Sequence, residues 1–237
     1  MQTALVTGAT SGIGRAVAQA LAGAGYAVLA LGRNAGALAE LAAATPGVTP
    51  LAVDLTDRVA TFAALEGRRV DVLVANAGVM PRPAAFDTQT LAEIDQTVLV
   101  NLSAVLWLTH LILPQMRARG AGHVVLTGSS AAHAPGANFA VYAASKAAVS
   151  AFATALRGDV AAAGIRVTEI APGRVETALY GTVLPEAARA AMYQGGTALQ
   201  PQDVADAVLA VLRLPPHATV TRLDIMPTRP QPAMPLK

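Results

Sequence analysis

Cysteine is absent from the 237 residues. That excludes a disulfide framework, thiolate catalysis and any zinc–sulfur site. Charge is scarce as well: Lys+Arg 17 against Asp+Glu 15 leaves a net charge of +2, too little to argue for nucleic acid or a membrane surface as partner. The four histidines show no metal-ligand spacing, and no pair of carboxylates suits glycosidase chemistry. No charged segment leads into an apolar stretch near Met1, so no export signal is expected and the cytoplasm is the expected compartment. The most apolar helical run, 98–113, is interrupted by Asn101, Ser103, Thr109 and His110 and stopped by Pro114. It falls short of the roughly 20 apolar residues that span a bilayer. Alanine supplies most of the positive hydropathy, as in a helix-rich, tightly packed soluble enzyme.

What is present is a regular alternation. Apolar runs at 4–7, 27–31, 49–53, 70–75, 123–127, 166–170 and 222–226 read as strands, with helical segments over 13–24, 34–44, 57–66, 89–118, 142–163 and 201–213. Strands without polar alternation, separated by helices, predict an α/β fold: one Rossmann-type, doubly wound, seven-stranded and mostly parallel sheet with helices on both faces. The whole chain, 1–237, is expected to be a single domain. Ligands then bind at the carboxyl ends of the strands, where the informative residues cluster.

The first such place is Thr7-Gly8-Ala9-Thr10-Ser11-Gly12-Ile13-Gly14. An apolar run precedes it and a helical one follows. The glycines permit a tight turn and close approach of a ligand, and the unpaired N–H groups at the start of the helix suit a pyrophosphate. The spacing Gly-x-x-x-Gly-x-Gly resembles the cofactor motif of the short-chain dehydrogenase/reductase family. Four later motifs in the right order extend that resemblance from Thr3 to about Pro227.

The resemblance implies a site. Gly8, Thr10, Ser11, Gly12, Ile13 and Gly14 would hold the cofactor phosphates. Arg33 follows Gly32, the position where NAD-using relatives carry an acid, and an arginine there suits the 2′-phosphate of NADP(H). Asp54 and Leu55 would meet the adenine, with Asp57 the better cap for the helix that follows. Asn76, Ala77 and Gly78, in Ala75-Asn76-Ala77-Gly78, match the family's Asn-Asn-Ala-Gly with its first Asn replaced; Asn76 is expected to tie strand ends together. Asn101 would kink its helix and complete a proton path from a lysine. Pro172, Gly173, Val175 and Thr177 match Pro-Gly-x-Val-x-Thr, which meets the nicotinamide carboxamide, leaving Arg174 and Glu176 exposed.

The catalytic stretch joins Ser129 to Tyr142-Ala143-Ala144-Ser145-Lys146. Tyr142 and Lys146 share one helical face, and an adjacent ammonium favours the phenolate, which is expected to lower the phenol's pKa. Tyr142 is then the general acid or base, Ser129 holds the substrate oxygen, and Lys146 also reaches the nicotinamide ribose. Residues 178–200 read as a substrate lid ending in Gly195-Gly196. Together with Met80, Pro81, His133 and Phe139 they predict an apolar pocket for a small carbonyl or alcohol substrate. The apolar 89–118 helix predicts a homodimer or homotetramer, and the Pro-rich tail, 227–237, cannot continue a helix or central strand. A protein that senses NADPH without chemistry is the alternative, and the complete Asn–Ser–Tyr–Lys set argues against it.

Overall fold

The computed structural model describes residues 1–229; the rest of the predicted Pro-rich tail, 230–237, lies outside the described residues. Seven strands form, each from one of the predicted apolar runs: β1 Thr3–Thr7, β2 Ala27–Gly32, β3 Val48–Ala52, β4 Val72–Ala75, β5 Gly122–Thr127, β6 Ile165–Pro172 and β7 Arg222–Ile225. They lie in one sheet in the order β3-β2-β1-β4-β5-β6-β7, and every pair is parallel. In the inner strands β1, β2, β4 and β5, burial on both faces explains the missing polar alternation, while the edge strands β3 and β7 are largely exposed. Ala4 and Val6 pack with α1 (Gly12–Gly23), α2 (Ala35–Ala44) and α8 (Pro201–Leu212), whereas Leu5 between them packs with α3 (Arg58–Leu65), α5 (Ala104–Arg119) and α6 (Ala140–Val160). The chain runs outward in both directions from β1 and β4, so the strand order reverses there and leaves a crevice at their carboxyl ends.

The long apolar helix matches the expected 89–118 segment, but Pro114 does not stop it. It is continuous over Leu91–Arg119, 29 residues, long and apolar enough by length and composition to cross a membrane. Here it is a core helix: Leu108, Ile112 and Met116 are buried against the sheet. Pro114 lies inside it, exposed, and the helix ends instead at Gly120, whose φ of 64° only glycine adopts freely. Between α4 (Leu91–Val98) and α5 the helix widens to a π turn over Leu99–Ser103, centred on Asn101.

The amino ends of the strands are locked by polar contacts. Asp71, 7% exposed, accepts the Thr3 N–H at 2.9 Å and the Arg69 Nε–H at 2.9 Å, with Arg119 Nε 3.5 Å away. Burial opposes its charge, but these donors and the two guanidinium groups hold the carboxyl below its usual pKa. His123 is 2% exposed, its Nε2 2.8 Å from Thr168 Oγ1, which itself donates to the Val220 carbonyl at 2.7 Å. Burial first and Arg166 second push this imidazole down to about 3, so it folds neutral.

Candidate active site

A cavity of about 790 Å³ opens at the carboxyl ends of the strands. Its floor at one end is the glycine turn. Gly8 takes a φ of +69°, and a Cβ there would stand 3.0 Å from Ala77 Cα. A Cβ on Gly14 would stand 2.2 Å from the Gly8 carbonyl oxygen and 2.6 Å from Asn76 Nδ2. The turn is therefore packed flush against β4 as bare backbone. Ser11 caps α1 only through its extended backbone: its side chain makes no cap hydrogen bond, and no acidic residue lies in the first turn. Gly12 and Ile13 at that helix start line the cavity. Bare N–H groups at the positive end of a helix dipole, above a floor no side chain could enter, fit the pyrophosphate of a dinucleotide.

Strands β2 and β3 build the next part of the wall. Thr10 stands over Gly32, where a Cβ would come 2.6 Å from Thr10 Cγ2. Arg33 and Asp54 line the cavity and approach each other at 3.7 Å across an open, solvated edge. Asp54 Oδ1 accepts from the Thr56 N–H at 2.9 Å and hydroxyl at 2.8 Å. Burial works against its charge, yet those hydrogen bonds and Arg33 leave the carboxyl below its ordinary pKa. The helix cap is Asp57, as expected, accepting from Ala60 N–H at 2.9 Å. Leu55, Ala77 and Gly78 complete this wall. Asn76 ties strands as expected: its Nδ2 donates to the Thr7 carbonyl at 3.0 Å, and Thr7 Oγ1 accepts from the Asn76 and Ala77 N–H groups at 3.0 and 2.9 Å.

At the other end, Ser129, Tyr142 and Lys146 meet at the cavity wall. Ser129, not Ser130, hydrogen-bonds the Tyr142 phenol. Lys146, 5% exposed, donates from Nζ to the Thr127 carbonyl at 2.8 Å. The expected fall in the phenol's pKa is not found. Burial is the dominant cause and raises Tyr142 to about 12, against the smaller opposing effect of the Ser129 hydrogen bond. Burial also lowers Lys146 to about 8, with Glu169 opposing the fall. Helical spacing puts both groups on one face, but burial is the leading cause of each shift and neither group figures among the causes of the other's.

Asn101 is fully buried and does not line the cavity. Its Oδ1 accepts the Val79 N–H at 2.8 Å, while Nδ2 donates to the Val79 carbonyl at 2.9 Å and to Ser145 Oγ at 3.1 Å. Ser145 Oγ donates in turn to the Tyr142 carbonyl at 2.7 Å. Asn101 thus clamps the loop after β4 to the helix that carries Tyr142 and Lys146, and the π turn brings it within reach.

Pro172, Gly173, Val175 and Thr177 all line the cavity after β6. A Cβ on Gly12 would lie 3.1 Å from Thr177 Cγ2, so this strand end closes down onto the glycine turn. The segment beyond folds into a short 3-10 turn, Ala178–Thr182, and α7, Glu186–Tyr193, and Leu179, Tyr180, Leu184 and Met192 form cavity wall. Met80 and Phe139 join them; Pro81 does not. His133 also turns away, its Nε2 lying 3.6 Å from buried Glu169 and 3.4 Å from Arg222 Nη1. The residue the sequence reading misplaced most is Arg174. Expected outside, it lines the cavity beside Tyr180, and nothing in an irregular stretch between strand and helix signals that direction.

With this geometry established, known proteins give it context. The family model for short chain dehydrogenase matches residues 2–187. The chain belongs to the short-chain dehydrogenase/reductase family. It is 46% identical over 228 residues to an uncharacterized short-chain type dehydrogenase/reductase of Sinorhizobium fredii, covering 96% of this chain and 92% of that protein. Sulfoacetaldehyde reductase 2 of Chromohalobacter salexigens is 38% identical, over 95% of this chain and 94% of its own. Among solved structures, the closed form of a serine dehydrogenase complexed with NADP+ superimposes with a TM-score of 0.94 at 31% identity, covering 100% of this chain and 98% of that one. This member of the family is accordingly an oxidoreductase acting on a carbonyl or its alcohol.

Proposed function

We propose that the chain is a cytoplasmic, NADP(H)-dependent reductase or dehydrogenase that moves a hydride to or from a carbonyl or secondary-alcohol carbon, with Tyr142 handling the proton. One observation carries this reading: the Tyr142 phenol, hydrogen-bonded to Ser129, faces the same cavity as the bare start of α1. NADPH, when bound, supplies the hydride. Gly8, Thr10, Ser11, Gly12, Ile13 and Gly14 would hold its pyrophosphate and Arg33 its 2′-phosphate, with Asp54, Leu55, Asn76, Ala77 and Gly78 along the adenosine. Pro172, Gly173, Val175 and Thr177 would take the carboxamide end. The NADP+ bound in the similar serine dehydrogenase supports the choice of cofactor.

Ser129 holds the substrate oxygen and stabilises the charge that develops there. Tyr142 donates its proton to that oxygen in reduction and takes it back in oxidation. Lys146 reaches the ribose and holds Tyr142 in register, and Asn101 positions the helix bearing both. With its pKa raised to about 12, the phenol keeps its proton at neutral pH and is loaded as an acid. Reduction therefore retains its acid well into the alkaline range, whereas oxidation, which needs the phenolate, climbs as pH rises. Residues 178–200 form a lid over a single catalytic domain. Leu91 and Val98, exposed on the apolar helix at 78% and 40%, support a homo-oligomer.

Tyr142→Phe is the decisive variant. NADPH consumption against a panel of small aldehydes and ketones should fall by about 10²- to 10⁴-fold, while NADPH binding followed by nucleotide fluorescence stays within about twofold. Activity within about tenfold of the unaltered protein, an allowance far smaller than the loss expected of a general acid, would sink the assignment.

A further inference from the structure

Arg174 is the charged residue of the cavity wall, among the described residues, that the hydride-transfer reading leaves without a task. It leaves the end of β6 one residue past Gly173 and is half-buried, its side chain lining the cavity. Its backbone is fixed: Leu199 N–H donates to the Arg174 carbonyl at 2.8 Å, and Val175 bridges Leu199. Its guanidinium faces two neutral groups, the Tyr180 phenol oxygen and the Met192 carbonyl, the latter at a long 3.4 Å from Nη1. Among the described residues no carboxylate lies within ion-pair distance of it. Glu176, two residues on, is exposed and accepts instead from Gln200 Nε2 at 2.9 Å.

A permanent cation in a partly enclosed, low-dielectric wall without a counter-charge favours an anion beside it. Behind it, outside the cavity wall, Tyr193 feels, of the charged groups, Glu176 first and then both the Arg189 and Arg174 guanidinium groups, and it packs edge-on against Tyr180 with ring centroids 6.5 Å apart. Tyr180 lines the same cavity as Tyr142 and interacts electrostatically with both Arg174 and the Tyr142 phenol. An anion on Arg174 would therefore share one cavity with the group that handles the proton.

We propose that Arg174 receives an acidic group of the substrate, so that the substrate is a small oxo or hydroxy compound carrying a carboxylate or sulfonate close to the reacting carbon. This rests on the hydride-transfer reading and replaces the apolar substrate expected from sequence. The bland role, a latch from β6 to α7 through Met192, predicts no sensitivity to substrate charge.

The test compares three small aldehydes of one skeleton, ending in a carboxylate, a sulfonate or a primary amide, assayed with NADPH. The unaltered enzyme should prefer an anion over the amide, and the better anion names the group. Arg174→Met should shrink that preference in kcat/KM by roughly 10- to 100-fold, chiefly through KM, as expected for losing charge-assisted hydrogen bonds. Arg174→Lys should fall between. An anion-to-amide ratio unchanged by Arg174→Met overturns the proposal, as does an unaltered enzyme that turns over the amide as well as the anions; in both cases hydride transfer stands. No NADPH consumption with any of the three, or with the wider carbonyl panel, defeats both readings. If Arg174→Met does not fold, salt decides on the unaltered enzyme: rising ionic strength should raise KM for the anion and not for the amide, and equal effects overturn the proposal.

Discussion

The two ends of the sheet handle polar groups in opposite ways. At the amino ends, Asp71 is saturated by Thr3, Arg69 and Arg119, and His123 is buried neutral against Thr168. The Asp71 carboxylate there is fully engaged and ties β1 to the start of β4. At the carboxyl ends the start of α1 is bare, Lys146 is buried with its pKa lowered to about 8, and Arg174 faces only neutral oxygens. Stability is concentrated at one end and reactivity at the other. The difference is one of charge: at the amino ends the buried carboxylate is paired and the buried imidazole is neutral, whereas the mouth keeps buried or half-buried cations available to ligands.

Lys146→Met should separate the two ends most sharply. Removing the buried amine is expected to lower kcat by at least about 100-fold while leaving the melting temperature equal or higher, because a desolvated charge is replaced by a packed thioether. A melting temperature several degrees lower would show that Lys146 is structural. Asp71→Ala should do the reverse, costing roughly 3 kcal/mol in denaturant unfolding by orphaning its partners with kcat unchanged; a loss of turnover at constant stability would break the comparison. His123→Gln probes the same end through pH. The folded imidazole stays neutral down to about 3 while the unfolded one protonates near 6.5, so its contribution is complete above 6.5 and is lost as pH falls towards 3. By pH 5 the native protein should have lost about 2 kcal/mol that the glutamine variant keeps, readable as a flatter acid limb of melting temperature against pH. Smallest is Arg33→Ala at the mouth. Exposed and only 3.7 Å from Asp54, it should raise KM for NADPH roughly tenfold and leave that for NADH alone. Equal changes in both would remove Arg33 from 2′-phosphate recognition.

The amino-acid sequence made much of this legible, and what it hid has physical causes. The inner strands β1, β2 and β4 could be read because burial on both faces leaves them apolar, whereas the edge strands β3 and β7 are largely exposed and were legible from their place in the alternation. Gly8, Gly12 and Gly14 mark a turn no other residue could make. Ser129 rather than Ser130 stands against the Tyr142 phenol, as the motif's spacing across a rigid strand and helix would place it. Pro114 misled, since an exposed proline can sit in a helix whose other face is anchored by Leu108, Ile112 and Met116. The opposite pKa shift of Tyr142 was out of reach, because helical spacing reports proximity and not desolvation. Arg174 was missed for a related reason. Its direction is set by the long-range bridge between Val175 and Leu199, and no local periodicity encodes it.

The contact between Thr10 and Gly32 carries a consequence for how this enzyme could evolve. An acid at position 32 would be the direct route toward the unphosphorylated dinucleotide, yet its β-carbon would collide with the threonine methyl 2.6 Å away. A side chain at 32 therefore requires the Thr10 methyl to shift aside. Coenzyme choice is thereby coupled between the glycine turn and the end of β2, and a lineage that switched would be expected to show a change at position 10 alongside one at 32.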